Sequence, residues 1–501
     1  MSGRQDGAIW EGLFHLSPDS GQTLQAQIRQ AIVAAILDRQ IALSMPLPSC
    51  RILAEKLGVA RGTVVLAFQQ LVDQGFLVAR ERRGHFVNPD VLAAPPEAPK
   101  TRAASRQEGG IDWRARRAIR PSDLPPPLEQ DDWARAAYPF VHGQFDPQLF
   151  PTAEWRECNR MALAVLEIRN WAADVVDRDD PLLLEQIQAR LLPRRGIFAS
   201  PDEIIVTLGA QNALYMLAQL LVARGATVAM EDPGYPDARA IFQLAGANLA
   251  PVPVDREGLV VDRIPHGARF VFATPSHQCP TTVPMSEERR AALLADAERH
   301  DRVIIEDGYD AQLLDEAPQQ ALKSADRSGR VIYVGSLSKT LAPGLRMGFI
   351  VASAELVSEL RALRRFMLRH PPANNQRAVA LFLSLGHHDA LVRRLSSAFA
   401  ERRERLSEAL TRFMPDWRAA EGGGGTSVWL QGPPGTDARR LAMAAAQRSV
   451  LVEAGNRFFE RAEDGERAIR LSISSIGANQ IAPGIRELSA AAGIAPRAAA
   501  A

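Results

Sequence analysis

The segment GSLSKTLAPGLRMGF, residues 335–349, carries the most informative pattern in this chain. Small hydroxyl residues lead into a lone lysine, Lys339, and an arginine, Arg346, follows seven residues later. The segment overlaps the end of RVIYVGS, one of several short β-branched runs. The others are EIIVTL, ATVAM, RFVFA and RVIIEDG. Helical stretches alternate with these runs, which predicts an α/β body with a mainly parallel sheet wound by right-handed crossovers.

Two changes of character divide the chain into three segments. A stretch rich in proline, alanine and charge, without apolar periodicity, covers residues 91–133 and predicts a linker. We assign residues 12–90 to a head and residues 134–490 to the body. Long charged helices and a strand pair in SVWLQG and AIRLSIS indicate a smaller C-terminal α+β subdomain over about 389–490.

Composition limits the classes of protein to consider. A formal net charge of +1 means that a nucleic-acid partner must meet a local basic surface rather than the field of the whole molecule. The three cysteines, Cys50, Cys158 and Cys279, lack metal-ligand or redox spacing, which predicts no metal site and fits a reducing cytoplasm. No segment approaches the roughly 18–20 apolar residues of a membrane span, so we expect a soluble, cytoplasmic protein.

Between residues 100 and 120 the linker contains a cluster of basic residues, interrupted by only two acidic residues, Glu108 and Asp112. Its members are Lys100, Arg102, Arg106, Arg114, Arg116, Arg117 and Arg120. Such a cluster can contact DNA phosphates as the head docks, or it can be a solvated tether kept soluble by its charge. The sequence leaves both interpretations open.

The head has the predicted order helix, helix, turn, helix, hairpin. Residues 22–37 form the first helix, and residues 51–57 form a second that Gly58 ends. A third helix starts near Arg61 and stops before Gly75, after which FLVARERRGHFV is interpreted as a two-stranded ribbon. The first helix carries apolar residues at helical spacing, namely Leu24, Ile28, Ile32 and Ile36. The third helix is predicted to bury Val64, Ala67, Phe68, Leu71 and Val72.

The segment LPSCRILAEKLGVARGTVVLAFQQLVDQGFLVARERRGHFV resembles the GntR winged helix-turn-helix over most of its length. A recognition helix must present hydrogen-bonding residues at its N-terminus, where free N–H groups and the helix dipole also favour phosphate. Arg61 and Thr63 are placed for these roles, so the resemblance implies double-stranded operator DNA as a partner.

The same resemblance implies roles for three more residues of the head. Ser49 would cap the second helix beside a phosphate, and Arg51 would contact backbone or base. Gly84, flanked by Arg82 and Arg83, would let the wing tip approach the minor groove. Gly62 stands where a side chain often helps to read bases, so direct readout would depend heavily on Arg61.

The segment around Lys339 resembles the Schiff-base segment of fold-type I enzymes that use pyridoxal 5′-phosphate. The resemblance implies that Lys339 is the Schiff-base lysine. It also implies that Ser336, Ser338 and Arg346 bind the cofactor phosphate, for which the guanidinium fork is well suited.

Three further motifs fit the same pocket. In RVIIEDGYD, Asp307 would keep the pyridinium nitrogen protonated, and Tyr309 would hydrogen-bond the phenolic oxygen of the cofactor. In EDPGYP, the resemblance places the ring of Tyr235 on the pyridine face. In VTLGAQNAL, a strand meets a helix whose first N–H groups can hold the phosphate; its residues are Gly209, Ala210 and Gln211.

Two motifs concern the ligand rather than the cofactor. TPSHQCPTTVPM occupies the place of the aminotransferase Asn-Pro-Thr-Gly loop but lacks that asparagine and that glycine, which argues against ordinary transaminase chemistry. Arg470, in AIRLSIS, stands where the family binds a substrate carboxylate, and we expect it to anchor the effector. A salt bridge within the small subdomain is the alternative role for Arg470.

The opening segment of the body, FVHGQFDPQLFPTAEW, contains further residues that suggest packing rather than chemistry. They are Gly143, Phe150, Pro151 and Trp155.

Together, head and body resemble the MocR subfamily of GntR regulators from about residue 12 to 490. The resemblance implies a head-to-tail homodimer whose operator binding responds to a small amino compound or to the cofactor itself. A genuine aminotransferase with an accessory DNA-binding head is the alternative from another class. A repressor that responds to pyridoxal phosphate alone is a third. The effector, the operator, the target genes and the sign of regulation stay open.

Overall fold

A computed structural model describes residues 16, 22–41, 43, 45–81, 83–92, 111–124, 133–174, 177–309, 320–420 and 425–494. Contacts divide the chain into two compact units, Met1–Arg116 and Arg117–Ala501.

The first unit contains the predicted three-helix head. Its helices are α1 (Leu24–Leu37), α2 (Cys50–Leu57) and α3 (Arg61–Asp73). Gly58 ends α2 in the left-handed conformation, with φ of 65°, because glycine adopts this region without the steric penalty of a Cβ. Ile28, Ile32 and Phe68 are buried in one apolar cluster, whereas Leu24 is 43% exposed and does not belong to the core.

A β-hairpin follows the helices, as predicted. Strands β1 (Leu77–Arg80) and β2 (Gly84–Val87) pair in antiparallel register, with Leu77 opposite Val87. The Arg80 guanidinium lies 4.7 Å from the ring centroid of Phe86. This hairpin completes the winged helix-turn-helix.

Only part of the predicted linker belongs to the described residues. It contains a one-turn helix, Trp113–Arg116. Arg114, Arg116, Arg117 and Arg120 are exposed there. Lys100, Arg102, Arg106 and Glu108 lie outside the described residues. Both interpretations of the basic cluster therefore stay predictions.

The second unit is built on an eight-stranded sheet. Its strands are β4 (Ile204–Thr207), β5 (Thr227–Asp232), β6 (Asn248–Asp255), β7 (Gly258–Leu259), β8 (Ala268–Ala273), β9 (Val303–Asp307), β10 (Val331–Ser336) and β11 (Gly348–Val351). They lie in the order β4-β11-β10-β9-β8-β5-β6-β7. The strands β10, β9, β8, β5 and β6 run parallel, whereas β11 is antiparallel to both of its neighbours. This confirms the predicted mainly parallel sheet.

Apolar residues on the strands are buried on both faces of the sheet, which is why these runs are continuous rather than alternating. Ile305 and Val334 belong to the cluster on one face, and Ile304 and Val331 to the cluster on the other. The α-helices of the body, numbered in chain order, are α4 (Thr152–Ala162), α5 (Val165–Trp171), α6 (Pro181–Gln186), α7 (Gly209–Leu221), α8 (Pro236–Leu244), α9 (Glu287–Arg299), α10 (Ala354–Leu368), α11 (Ala373–Ser384), α12 (His387–Phe413), α13 (Ala438–Ala446) and α14 (Ala478–Ala491).

The C-terminal part of the body forms the predicted α+β subdomain. Its strands, with one from the start of the body, are β3 (Tyr138–Pro139), β12 (Arg418–Ala419), β13 (Ser427–Gln431), β14 (Val450–Leu451), β15 (Glu453–Ala454) and β16 (Ala468–Ser472). The four-stranded sheet has the order β12-β13-β16-β15, and the predicted pair β13 and β16 is antiparallel. A separate two-stranded parallel pair joins β14 to β3.

One close contact positions the lysine-bearing loop. Gly335, near the end of β10, lies opposite Phe349 of β11, and any Cβ at position 335 would collide with the phenyl ring. Glycine at position 335 therefore lets β10 and β11 pack closely, just before β10 ends at Ser336 and the lysine-bearing loop begins.

Within the described part of the chain, no helix is both long and apolar enough to cross a membrane. The same residues contain no group of three or more His, Cys, Asp or Glu side chains arranged to hold a metal ion.

Candidate functional site

A cavity of about 310 Å³ lies in the second unit, beside the carboxyl ends of the parallel strands. Asp307 ends β9, Ser336 ends β10, and Thr274 and Tyr235 follow the ends of β8 and β5. Because parallel strands end at the same edge of a sheet, segments far apart in sequence meet there. The predicted residues that line the cavity are Ala210, Gln211, Tyr235, Asp307, Tyr309, Ser336, Ser338, Lys339, Arg346 and Arg470.

Lys339 lies in the loop after β10, and its amine points to a histidine that sequence reasoning did not single out. Lys339 Nζ is 3.1 Å from His142 Nε2. The other ring nitrogen of His142 is 2.9 Å from Ser427 Oγ. Lys339 is therefore positioned by the start of the body and, through Ser427, by the C-terminal subdomain.

One end of the cavity has the features of an anion site. The Ser338 N–H donates to Ser336 Oγ at 3.3 Å, and Ser338 Oγ is buried without a hydrogen-bond partner among the described residues. Arg346 has a positive φ of 48°, and its Nη2 donates to Leu208 O at 3.2 Å. A guanidinium and spare hydroxyls at one place are suited to phosphate or sulfate.

The start of α7 completes this anion site. The first N–H groups of a helix lack intrahelical acceptors, so those of Ala210 and Gln211 can bind an anion. Gly209 has a φ of 79°, and a Cβ there would lie 3.1 Å from Arg346 Nη2. Gly209 therefore leaves room for Arg346 beside the helix rather than lining the cavity itself.

The carboxyl group of Asp307 is buried, and one of its oxygens makes no hydrogen bond to the described residues. It is only 3% exposed, and its Oδ1 has no hydrogen-bond partner among the described residues. Burial raises the pKa of Asp307 to about 7, against the opposing effect of Lys339, and Glu231 adds to the rise. An added cation in the cavity would therefore be stabilised by Asp307 and would favour its ionised form.

A second buried carboxyl, that of Glu231, lies close enough to Asp307 to act on its pKa. Burial also raises the pKa of Glu231 to about 7. Thr274 Oγ1 donates to Glu231 Oε2 at 2.5 Å, and Gln278 Nε2 donates to the same oxygen at 3.2 Å. The loop that departs from the aminotransferase pattern thus hydrogen-bonds to Glu231, and one of the donors, Thr274, lines the cavity.

The raised pKa of Asp307 predicts a pH dependence of stability. In the unfolded chain this carboxyl ionises near its usual pKa of 3.8, but in the ligand-free fold it stays protonated to about 7. The unfolded state therefore binds fewer protons between these values, so stability is lost as the pH rises from about 4 to 7. We expect Asp307→Asn to raise the thermal midpoint of ligand-free protein at pH 8, by on the order of 2 °C, with less gain at pH 5.

The control for this prediction is Asp416→Asn, at an exposed position. Differential scanning fluorimetry across pH 4–8 measures both variants. An unchanged pH slope in Asp307→Asn would show that Asp307 does not carry the effect.

Tyr235, Asp237 and Gln211 form a polar wall of the cavity. Tyr235 Oη donates to Asp237 Oδ2 at 3.4 Å, and Gln211 Nε2 donates to the same oxygen at 3.2 Å. Burial raises the pKa of Tyr235 well above its usual value, so the phenol stays protonated and keeps donating. The ring of Tyr309, which also lines the cavity, lies 6.1 Å from the ring of His142.

Arg470 forms the salt bridge that was the alternative interpretation, and it also lines the cavity. It is buried on β16 and pairs with Glu453, the residue opposite it on β15. It also lines the cavity, with Nη1 3.7 Å from Cys279 Sγ. The salt bridge uses Nε, so it orients the guanidinium without occupying all of its donors.

Several cavity residues were not predicted from the sequence. They are His142, Gly143, Pro236, Asp237, Thr274, Cys279, Pro343 and Arg457. Gly143 was interpreted as a packing residue, but a Cβ there would lie 3.5 Å from Lys339 Nζ. Phe150 and Trp155 do pack, in a row of ring contacts that continues through Phe382 to His387.

The predicted DNA-contacting residues lie on the surface of the head. Ser49 is the N-cap of α2 and accepts from the Ile52 N–H at 3.3 Å. Arg51 and Arg61 are exposed and Thr63 is half-buried. Gly84, with φ of 94°, begins β2 at the wing tip. Arg83 is exposed beside it, and Arg82 lies outside the described residues.

The N-terminus of α3 has no side-chain cap, because its N-cap residue is Ala60. Its first N–H groups are therefore able to meet a phosphate beside Arg61. Space is open around Gly62, where a Cβ would have no described atom within 4 Å.

Comparison with known proteins gives two family matches. Residues 158–488 match the aminotransferase class I and II family, and residues 24–87 match the bacterial regulatory proteins of the gntR family. The two matches follow the order of head and body found in the structure.

The chain is also similar to whole proteins. It is 43% identical to the HTH-type transcriptional regulator TauR of Rhodobacter capsulatus, over 95% of this chain and 98% of that protein. It is 33% identical to the probable rhizopine catabolism regulatory protein MocR of Rhizobium meliloti, over 80% of each chain. The crystal structure of LysN, an α-aminoadipate aminotransferase from Thermus thermophilus complexed with N-(5′-phosphopyridoxyl)-L-leucine, superposes with a TM-score of 0.65 at 29% identity. That match covers 71% of this chain and 91% of LysN.

Proposed function

This chain belongs to the MocR subfamily of GntR-type transcriptional regulators, and from that premise we propose that its body holds pyridoxal 5′-phosphate through Lys339 and that an amine bound there changes operator binding. The head is a winged helix-turn-helix and the body has the aminotransferase fold. The observation that carries the proposal is the lone lysine amine in a cavity that also holds two buried oxygens, on Asp307 and Ser338, without hydrogen-bond partners among the described residues.

The residues present fit this cofactor at each of its functional groups. Lys339 would hold the aldehyde carbon. Ser336, Ser338 and Arg346 would bind the phosphate with the first N–H groups of α7. Asp307 lacks a described partner for Oδ1, and a protonated ring nitrogen would supply one and lower its raised pKa. Gly209 leaves this anion site open.

When bound, the cofactor supplies a carbon that can bond to a primary amine and a ring that withdraws electrons. The chain's own residues decide which amine binds. Tyr309 would donate to the phenolic oxygen, and Tyr235 would cover the ring face. Arg470, held by Glu453, would bind a carboxylate on the incoming amine.

Regulation requires that the ligand distinguish two arrangements of the protein. A ligand shifts an equilibrium only by its difference in affinity for the two states. In a homodimer, two heads engaging two half-sites would make occupancy sensitive to the distance between the heads. We therefore propose a head-to-tail homodimer on double-stranded operator DNA, as the resemblance implies.

The comparisons favour a regulator over a genuine aminotransferase, since the similar whole-length proteins are named as transcriptional regulators. A slow half-reaction is compatible with Lys339 and Asp307 in one cavity. Rapid turnover with an amino donor and a keto acid, without specific DNA binding, would support the enzyme. A change in operator affinity with pyridoxal phosphate alone would support a sensor of the cofactor itself.

The test uses alanine and ethylamine, which differ only by the carboxylate. Absorption spectra and binding to DNA from upstream of the protein's own gene are recorded with each compound. We expect Arg470→Lys to weaken the response to alanine about tenfold, because lysine cannot form a bidentate pair, and to leave the response to ethylamine nearly unchanged. Equal losses for both compounds, or no spectral change with either, would contradict the proposed anchor.

A further inference from the structure

His142 is placed to interact with Lys339 although no residue pattern marks it as part of the site. Its Nε2 lies 3.1 Å from Lys339 Nζ. On the other side of the ring, Nδ1 lies 2.9 Å from Ser427 Oγ, which is buried on β13. Ser427 therefore fixes the ring orientation and leaves Nε2 directed at the amine.

The surroundings of His142 favour its neutral form. Burial lowers the pKa of the imidazole well below its usual value of 6.5, and the charges of Lys339 and Arg470 and the nearby ring of His277 act in the same direction. Tyr309 contacts the ring edge to face, with 6.1 Å between centroids. A neutral imidazole offers one N–H donor and one lone pair, so it can hydrogen-bond an amine in either tautomer.

The contact involves the amine nitrogen of Lys339, which is the atom that would bond to the cofactor. A primary amine has hydrogens and a lone pair to share with the imidazole, whereas a nitrogen bonded to the cofactor has fewer hydrogens to donate. The hydrogen bond to His142 therefore favours the primary amine over the bonded nitrogen. A partner for the released amine stabilises whichever state contains that amine.

We propose that His142 is a positioning residue that receives the Lys339 amine when an amine ligand replaces it on the cofactor. This inference rests on the proposed function. In the exchange, the incoming nitrogen bonds to the carbon that Lys339 held, and the bond from that carbon to Nζ breaks. The two hydrogens of the incoming primary amine end on Nζ, so the lysine leaves as a primary amine, and His142 hydrogen-bonds it.

This placement makes His142 part of the ligand response. Without the imidazole, the released amine would lose a buried hydrogen bond, whereas the lysine-bound state would lose nothing comparable. The net value of one such bond corresponds to about a three- to tenfold change in an equilibrium constant. His142 would thus set how much ligand is needed to displace Lys339.

The experiment is a spectroscopic titration of the full-length protein, loaded with pyridoxal phosphate, with ethylamine. Ethylamine has no carboxylate, so Arg470 does not enter the comparison. We expect His142→Phe to raise the half-saturating ethylamine concentration about three- to tenfold, the value of one such hydrogen bond. His142→Gln, which keeps a hydrogen-bonding group, should recover part of the loss, and Ser427→Ala should shift it less and in the same direction.

His266→Phe is the matched control, since it makes the same exchange at an exposed histidine outside the cavity. An unchanged half-saturation in both His142→Phe and Ser427→Ala, with a normal lysine-dependent absorption, would overturn the inference and leave the proposed function standing. If wild-type protein shows no Lys339-dependent absorption at all, the proposed function itself fails. Should His142→Phe not fold, His142→Gln and Ser427→Ala decide the question.

Discussion

Lys339→Ala is expected to abolish covalent attachment of pyridoxal phosphate and every lysine-dependent absorption band of the protein. The chain has only four lysines, Lys56, Lys100, Lys323 and Lys339. Of these, Lys339 lines the cavity that holds the buried oxygens of Asp307 and Ser338. A methyl group at position 339 can form no bond to an aldehyde, so the loss should be complete rather than partial.

Reduction with borohydride followed by peptide mass spectrometry measures this directly. Wild-type protein should carry the reduced cofactor on the peptide that contains Lys339. Lys323→Ala is the control, because Lys323 pairs with Asp326 at 3.1 Å and does not line the cavity. Labelling of another lysine in wild-type protein, or an unchanged band in Lys339→Ala, would rule out the assigned attachment site.

Arg61→Ala is expected to weaken specific operator binding by about 5- to 150-fold, corresponding to the roughly 1–3 kcal/mol of a good base contact. Arg61 is exposed at the first position of α3, where no side chain caps the helix. Its neighbour Gly62 has no side chain to share the readout. Fluorescence anisotropy with DNA from upstream of the protein's own gene measures the effect.

Arg29→Ala removes the same charge from α1 and serves as the control. Both variants should lose a similar, small amount of affinity for an unrelated DNA fragment, since that binding depends on charge. The loss with Arg61→Ala should be much larger on the specific fragment. Equal losses on both fragments would mean that Arg61 contacts only phosphate, and the base-reading role would be wrong.

Short-range patterns were sufficient for the architecture. The β-branched runs ending at Asp307 and Ser336 became β9 and β10, and the helix predicted to start near Arg61 does start there. Each depends on neighbours within a few residues: strand propensity, helical spacing, and a glycine such as Gly58 that adopts positive φ. The exposed Leu24 is the exception, since helical spacing cannot tell which apolar residue a neighbour covers.

Four of the predicted cofactor-binding residues could also be found from a short stretch of sequence. Ser336, Ser338, Lys339 and Arg346 lie in one segment, and the structure brings them together in one cavity. Their common place follows from local chain geometry at the end of one strand. Their roles in cofactor binding, and the boundaries proposed for the linker, stay predictions.

What the sequence by itself determined is the order of elements, the family, and the identity of the lone lysine, because these are written in contiguous residues. Only the tertiary structure decided which distant groups meet. His142 reaches Lys339 across 197 positions of sequence, and Glu453 orients Arg470 from a neighbouring strand. Burial of Asp307 likewise depends on the whole assembled edge of the sheet. Contacts of this kind arise from packing over long sequence separations, so no local pattern encodes them, and the pKa values and ligand preferences that follow from them appear only once the chain is folded.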